Sequence, residues 1–454
     1  MIMEKYDLFR ESIRSAAERF KSLVRNDFAR VISHLDADGI SAVSIMIKAL
    51  DRENIKYTIS IVQQLNPDIL RELAKEGHDT YIFTDLGSGN IKEIAEILAG
   101  KNIIILDHHD MANSYEELKE SGVITSDENK TDQTNLLFVN PHIFGIDGGN
   151  EISGAGVVYL FSKQLNPLNI DMAHIAVVGA IGDVQENKGF LKLNADILGD
   201  AINQGMININ EGLRAFGVQT RPLHKLLEYS TDPFIPGITG SESNSIEFLN
   251  QIGIEAQSNG AWRKLNDLSD EESKKLIAAI IVRRINENNP DDVLGYNYLL
   301  TKEEEGCPLK DAKEFATLLN ACGRLDKASL AIGACIGDEK LKRKALLHQQ
   351  EYKKEIVKAM NWYRDNKTGK HIIKGSNYVI IKAEHNVMPS MIGTVASMLT
   401  KSNEFKEGTL VMGLAKDKDN MTKVSLRISG RNEETDLTEV VRRITEIAGG
   451  EAGG

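Results

Sequence analysis

The chain has 454 residues, 41% of them apolar and 26% charged, with a formal net charge of −12. That balance fits an ordinary soluble globular protein of two or three domains with full cores. The negative charge argues against coating nucleic acid by bulk electrostatics, although a local basic groove or bound divalent cations can act within an acidic protein.

The opening stretch MIMEKYDLFRESIRSAAERF carries charge throughout, lacks the apolar run of a signal peptide and reads as a helix. No window approaches the roughly 18 continuous apolar residues of a membrane span, so a cytoplasmic location without membrane contact is expected. Short β-type runs follow in ARVIS (29–33), YTISIV (57–62), TYIFT (80–84) and NIIIL (102–106), separated by GISAVSIMIKALDRE, NPDILRELAKEG and GNIKEIAEILAG. Strands of about five residues alternating with helices of about 10–15 mark βαβ units and a parallel sheet. A polar loop, DENKTDQTN (127–135), precedes a candidate strand NLLFVNP (135–141), and two helices close the region around 153–165 and 172–182.

From about 190 to 335 the pattern is helical and irregular, with prolines breaking TRPLHK and TDPFIPGITG. The charged run from Asp338 to about Asp365 has no Gly or Pro and predicts a long, solvent-washed connecting helix. β signals return in YVIIKAE (378–384), TLVMGLAK (409–416) and KVSLRIS (423–429), with DKDN (417–420) as a hairpin turn between the last two. The expected architecture is α/β: a parallel-sheet domain over 1–190, a helical middle region over 191–337, the connecting helix over 338–365 and a smaller α/β domain over 366–454. Cys307, Cys322 and Cys335 lack metal-type spacing and read as buried small apolar residues.

The chemistry gathers at the ends of the N-terminal strands. In SHLDADG, His34, Asp36 and Asp38 occupy alternate positions, which in extended backbone share one face. FTDLGSG places Asp85 before small residues that allow a sharp turn, LDHHD delivers Asp107, His108, His109 and Asp110, and GAIGDVQ presents Asp183 behind a glycine. Any one of these aspartates alone is more often a helix cap or turn former. The later ligands of an EF-hand do not follow DADG. Four such features at strand ends of one sheet, where open α/β sheets bind ligands, point to a metal site.

Mixed carboxylate and imidazole without thiolate suits Mn2+, Mg2+, Fe2+ or Zn2+. So many acids crowded together would repel one another unless two dications sat among them. Two divalent ions sharing a carboxylate activate water and stabilise in-line displacement at phosphorus, so the expected reaction is phosphoester or phosphoanhydride hydrolysis.

HLDADG, TDLGSG, LDHHD and GAIGDVQ, in this order, resemble the four motifs of the DHH phosphoesterase superfamily. EFATLLNACGRLDKASLAIGACIGD (314–338) resembles the segment linking the two domains of RecJ-type nucleases. VSLRISGR (424–431) and the terminal GGEAGG (449–454) resemble parts of the associated DHHA1-like substrate-binding domain. The resemblance is nearest to archaeal RecJ-like nucleases, including the type that associates with GINS. It implies that Asp36, Asp38, Asp85, Asp183 and His108, with His34 aligned less securely, hold two Mn2+ or Mg2+ ions, and that Asp85 bridges them. His109 would face the scissile phosphate as charge stabiliser or proton donor, with Asp107 orienting an imidazole.

Arg427 would meet a substrate phosphate, with Arg431, Asn320 and Arg324 as weaker nucleic-acid contacts. Relatives continue the glycine-rich end into a histidine, and this sequence ends at Gly454; a missing histidine would bear on substrate positioning more than on metal binding. The implied activity is single-strand-specific exonuclease action on DNA, or RNA, in replication or repair. The alternatives are a hydrolase of short oligoribonucleotides or cyclic dinucleotides, and a replisome scaffold binding GINS and the replicative helicase.

Overall fold

The structure is a computed structural model that describes residues 4–24, 28–121, 123, 135–186, 189–401, 404–418, 420–430 and 437–448. The chain forms two compact units, Met1–Ala345 and Leu346–Gly454.

The first unit opens with α1 (Lys5–Leu23), which buries Phe9 and Phe20. Five strands follow: β1 (Phe28–His34), β2 (Lys56–Val62), β3 (Thr80–Thr84), β4 (Asn102–Leu106) and β5 (Asn135–Val139). They pair in parallel in the order β2-β1-β3-β4-β5. β3 and β4 coincide with TYIFT and NIIIL, because strands buried on both faces read as continuous β-branched and aromatic runs. The connecting helices are α2 (Ala37–Arg52), α3 (Pro67–Lys75), α4 (Ile91–Ile97) and α5 (Tyr115–Glu120). Chain progression reverses between β1 and β3, which opens a crevice at their carboxyl ends. α6 (Gly154–Leu165), α7 (Ala173–Gly182) and α8 (Lys192–Asn203) complete this layer.

The middle of the unit departs from the helical reading. β6 (Ile207–Leu213) pairs antiparallel with β9 (Leu294–Leu300) over a seven-residue register from Ile207↔Leu300 to Leu213↔Leu294. Between them lie α9 (Leu223–Glu228), α10 (Glu242–Gln251), the short β7 (Gln257–Ser258) and β8 (Ala261–Trp262), and α11 (Asp270–Arg283). β6 escaped notice because ININEGL is rich in Asn, Glu and Gly, residues depleted in strands, and its partner is remote in sequence. A separate core of Leu223, Leu227, Phe248, Leu276 and Ile280 fills this region. α12 (Ala312–Arg324) and α13 (Ala328–Cys335) return the chain to α7 and α2.

α14 (Glu339–Asn366) begins in the first unit and continues into the second. There β10 (Ile372–Lys374), β11 (Tyr378–Glu384), β12 (Leu410–Lys416) and β13 (Thr422–Ile428) form a sheet in sequence order, with α15 (Ile392–Lys401) and α16 (Leu437–Ala448). β12 and β13 pair antiparallel up to Lys416↔Thr422, which is the hairpin expected around DKDN. Cys322 and Cys335 are buried, but Cys307 is only partly so. No helix among the described residues is long and apolar enough to cross a membrane. The loop at 127–134, Arg431 and the terminal GGEAGG lie outside the described residues.

Candidate metal centre

His34 is the last residue of β1, and the chain turns at once into α2. The expected alternation of His34, Asp36 and Asp38 along one strand is therefore corrected. Asp36 is the N-cap of α2, accepting the Gly39 amide at 3.0 Å, and Asp38 lies in the first helical turn. A strand entering a helix at its capping residue brings both carboxylates to the crevice by a different route. Asp38 is fully buried and accepts the amides of Gly154 at 2.6 Å and Ala155 at 3.1 Å, at the N-terminus of α6. Unpaired amides and the helix dipole favour a negative charge there.

Asp85 follows β3 with a positive φ of 58°, its amide donating to Leu106 O at 2.9 Å. Both of its carboxylate oxygens are buried without a hydrogen-bond partner. A side chain at Gly154 would not fit beside it, because a Cβ there would stand 2.3 Å from Asp85 Oδ1.

After β4, Asp107 is fully buried and spent on local bonds: Oδ2 accepts from Ser88 N at 2.9 Å, and Oδ1 from His108 N and His109 Nδ1, each at 2.8 Å. His108 donates Nδ1–H to Gly148 O at 2.7 Å, which points Nε2 at the carboxylates; burial opposes charge on the ring, but Asp183 and Asp85 raise its pKa well above the usual value. That Nε2 lies 3.2 Å from Asp85 Oδ1, 3.3 Å from Asp183 Oδ2 and 3.6 Å from Asp38 Oδ2, yet is hydrogen-bonded to none of them.

Asp183 is not at a strand end. It caps the C-terminus of α7, the helix expected over 172–182, so its grouping with the strand ends is corrected.

Asp85 stands between two halves of the cluster. Its Oδ2 is 3.9 Å from His34 Nδ1, which is itself 2.8 Å from Asp36 Oδ2, while its Oδ1 faces His108. Ligand atoms of His34, Asp36 and Asp85, of Asp38, His108 and Asp183, and of Asp85, His108 and His109 each converge within 4.8 Å. In the last group, His109 Nδ1 is already taken by Asp107.

Burial together with the charges of Asp85 and Asp183 pushes the Asp38 carboxyl well above its usual range. Burial also lifts Asp85, to about 6, against the opposing influence of nearby His108. Burial works against charge on His34, but Asp36 outweighs it and raises the imidazole to about 9. Asp36 is held well below the usual carboxylate range because His34 overcomes its burial. Acids that must share protons, orphaned oxygens and an aimed, unpartnered imidazole nitrogen fit a divalent cation, and the thiolate-free donor set suits Mn2+ or Mg2+.

The sequence did not mark the supporting groups: the Gly148 carbonyl, the Gly154 and Ala155 amides, and Asn140, which donates to Ser88 Oγ at 2.8 Å and His109 O at 2.9 Å. Backbone donors leave no residue-type signature, and only the Ser153 N-cap in ISGAG hinted at a helix start there. Asn320 accepts the Ala37 amide at 3.2 Å, which places it behind the centre, and Arg324 lies in the last turn of the same helix α12. In the second unit, exposed Arg427 reaches Ser397 Oγ at 3.1 Å and Leu426 O at 2.7 Å.

A parallel sheet whose switch point gathers carboxylates and imidazoles defines an α/β protein with a metal-type centre. Residues 29–180 match the DHH family N-terminal domain, and residues 215–295 match the DHH-CID domain. An uncharacterised protein, MJ0831, of Methanocaldococcus jannaschii is 32% identical over 352 residues, covering 76% of this chain and 73% of that protein. The chain belongs to the DHH family.

Its fold is similar to CDC45 from Entamoeba histolytica, with a TM-score of 0.63 at 13% identity over 89% of this chain and 86% of that one. It is also similar to RecJ in complex with Mn2+ from Thermus thermophilus, with a TM-score of 0.55 at 16% identity over 96% of this chain. The chain spans only 49% of that RecJ.

Proposed function

We propose that the protein is a two-metal-dependent exonuclease that hydrolyses terminal phosphodiester bonds of single-stranded DNA or RNA to mononucleotides. The observation that carries this reading is Asp85, whose two buried, unpartnered oxygens face opposite halves of one carboxylate and imidazole cluster. His34 and Asp36 would hold one ion, and Asp38, His108 and Asp183 the other, with Asp85 shared between them.

When bound, such a pair of ions activates water and neutralises charge on the phosphoryl oxygens. His109 then has a task of its own. Burial opposes its charge, but Asp107 raises its pKa to about 10, so it keeps a proton to offer a leaving oxygen. Arg427 would engage a substrate phosphate through its guanidinium fork. GINS is the proposed partner, on the sequence motifs alone, and co-purification of the two tests it.

The decisive experiment supplies Mn2+ or Mg2+ to end-labelled single-stranded DNA and RNA, with wild type and Asp85→Ala side by side. Wild type alone should shorten the substrates to mononucleotides. Uncut substrates, or equal cutting by the variant, would sink the proposal.

A further inference from the structure

We propose that Gln185 is a positioning residue for the metal centre: its side-chain amide, oriented by Asn194, fixes the carbonyl that fixes the His108 imidazole. The inference rests on the metal-site reading above and assigns a role to a residue that is not itself a ligand.

Gln185 lies two residues beyond Asp183, in the turn that ends α7, where its amide nitrogen donates to Ala180 O at 3.0 Å. Its side chain is almost wholly buried, at 3% exposure. Nε2 donates to Gly148 O at 2.8 Å and lies 3.4 Å from Ile152 O, while Oε1 accepts from Asn194 Nδ2 at 2.7 Å. Asn194, in the first turn of α8, is equally buried, and its own amide donates to Glu151 O at 3.0 Å.

The amide can sit in one orientation only. Turned over, it would set Oε1 against two carbonyl oxygens and Nε2 against the Asn194 NH2 group, leaving buried groups unpaired at about 1–3 kcal/mol each.

The consequence falls on His108. Gly148 O accepts two hydrogen bonds, from Gln185 and from His108 Nδ1. A carbonyl can only accept, so one pinned in this way holds Nδ1–H of His108 and keeps Nε2, the edge a metal would take, turned toward Asp38, Asp85 and Asp183. One tight turn thus supplies a ligand, Asp183, and the support of another, His108.

The test uses the whole 454-residue chain and two substitutions. Gln185→Met keeps the volume and removes the donor. Asn194→Asp reverses the polarity that Gln185 Oε1 meets and drives its amide to turn over. The imidazole N–H resonances of 15N-labelled histidine in the metal-free protein report whether His108 Nδ1–H is held in its bond to Gly148 O, and titration with Mn2+ reports affinity.

Both variants should lose the exchange-protected His108 Nδ1–H signal and bind Mn2+ about 10–100-fold more weakly, the range typical of outer-sphere partners of metal ligands. An unchanged Nδ1–H signal with Mn2+ affinity within twofold of wild type, in whichever variant folds, would overturn the proposal. Wild type that binds no Mn2+ would instead overturn the metal-site reading, while the metal-free Nδ1–H comparison still decides the role of Gln185.

Discussion

Asp107 Oδ1 lies 2.8 Å from His109 Nδ1 and accepts its hydrogen bond, while the same carboxylate is anchored by the backbone amides of Ser88 and His108. Burial alone would raise the Asp107 pKa, yet the imidazolium of His109 and these bonds hold it well below the usual carboxylate range. In return the pair lifts His109 to about 10. Asp107→Asn removes the charge and keeps the shape, so His109 should lose its proton at lower pH. We expect kcat at neutral pH to fall by about 10²-fold or more, within the usual range for a proton donor. The alkaline limb of a kcat profile measured with Mg2+ should move down by at least one pH unit; an unmoved limb would show that His109 does not act as the donor.

Asp85 has the opposite electrostatic character. Its pKa of about 6 lies above that of an unfolded aspartate, so the metal-free folded state binds the extra proton between roughly pH 4 and 6 and stability falls as pH rises through that window. Asp85→Asn removes that cost. In EDTA at pH 8 the variant should be more stable than wild type by up to about 3 kcal/mol, with no difference near pH 4. Mn2+ should raise the Tm of wild type and leave that of the variant in place. Thermal melts at pH 4 and 8, with and without metal, check all three expectations.

The sheet strands were legible because β3 and β4 are buried on both faces, and continuous apolar runs bounded by polar turns have few other readings. The acidic and histidine residues of the centre were legible for the opposite reason: charge at the end of an apolar run is costly unless something uses it. The geometry that unites them was not. Asp36 and Asp38 reach the crevice from a helix start and Asp183 from a helix end, and residue spacing does not distinguish these from strand positions. β6 was hidden because its pairing with β9 is remote and its composition polar.

Asn320 shows a different limit: NACGR reads as polar and basic, and only the fold sets its carbonyl oxygen on the Ala37 amide.

The same helix makes a further demand. A Cβ at Gly323 would stand 1.7 Å from the Leu35 carbonyl oxygen, which is backbone and cannot rotate away. Gly323→Ala must therefore push α12 off the turn that carries Asp36. We expect a loss of at least about 2 kcal/mol in urea unfolding, in line with overpacked cores. Asn320→Ala, which removes one hydrogen bond, should cost only about 1 kcal/mol. Equal stability of Gly323→Ala and wild type would refute this packing.

His174, near the start of α7, has a buried Nδ1 without a hydrogen-bond partner. Burial, aided by the positive charge of Lys302, lowers its pKa to about 4 against the opposing influence of Asp171. An unfolded histidine takes up a proton near pH 6.5, whereas the folded ring resists until about 4, so the unfolded state binds more protons in between and stability drops as pH falls. The full window corresponds to about 3 kcal/mol, reduced by whatever water reaches the ring. His174→Gln cannot titrate. Urea unfolding at pH 7, 5.5 and 4.5 should therefore show a shallower loss for the variant than for wild type, with the two curves diverging below pH 6.5. Parallel curves would mean that His174 is protonated as easily in the folded protein as in the unfolded chain.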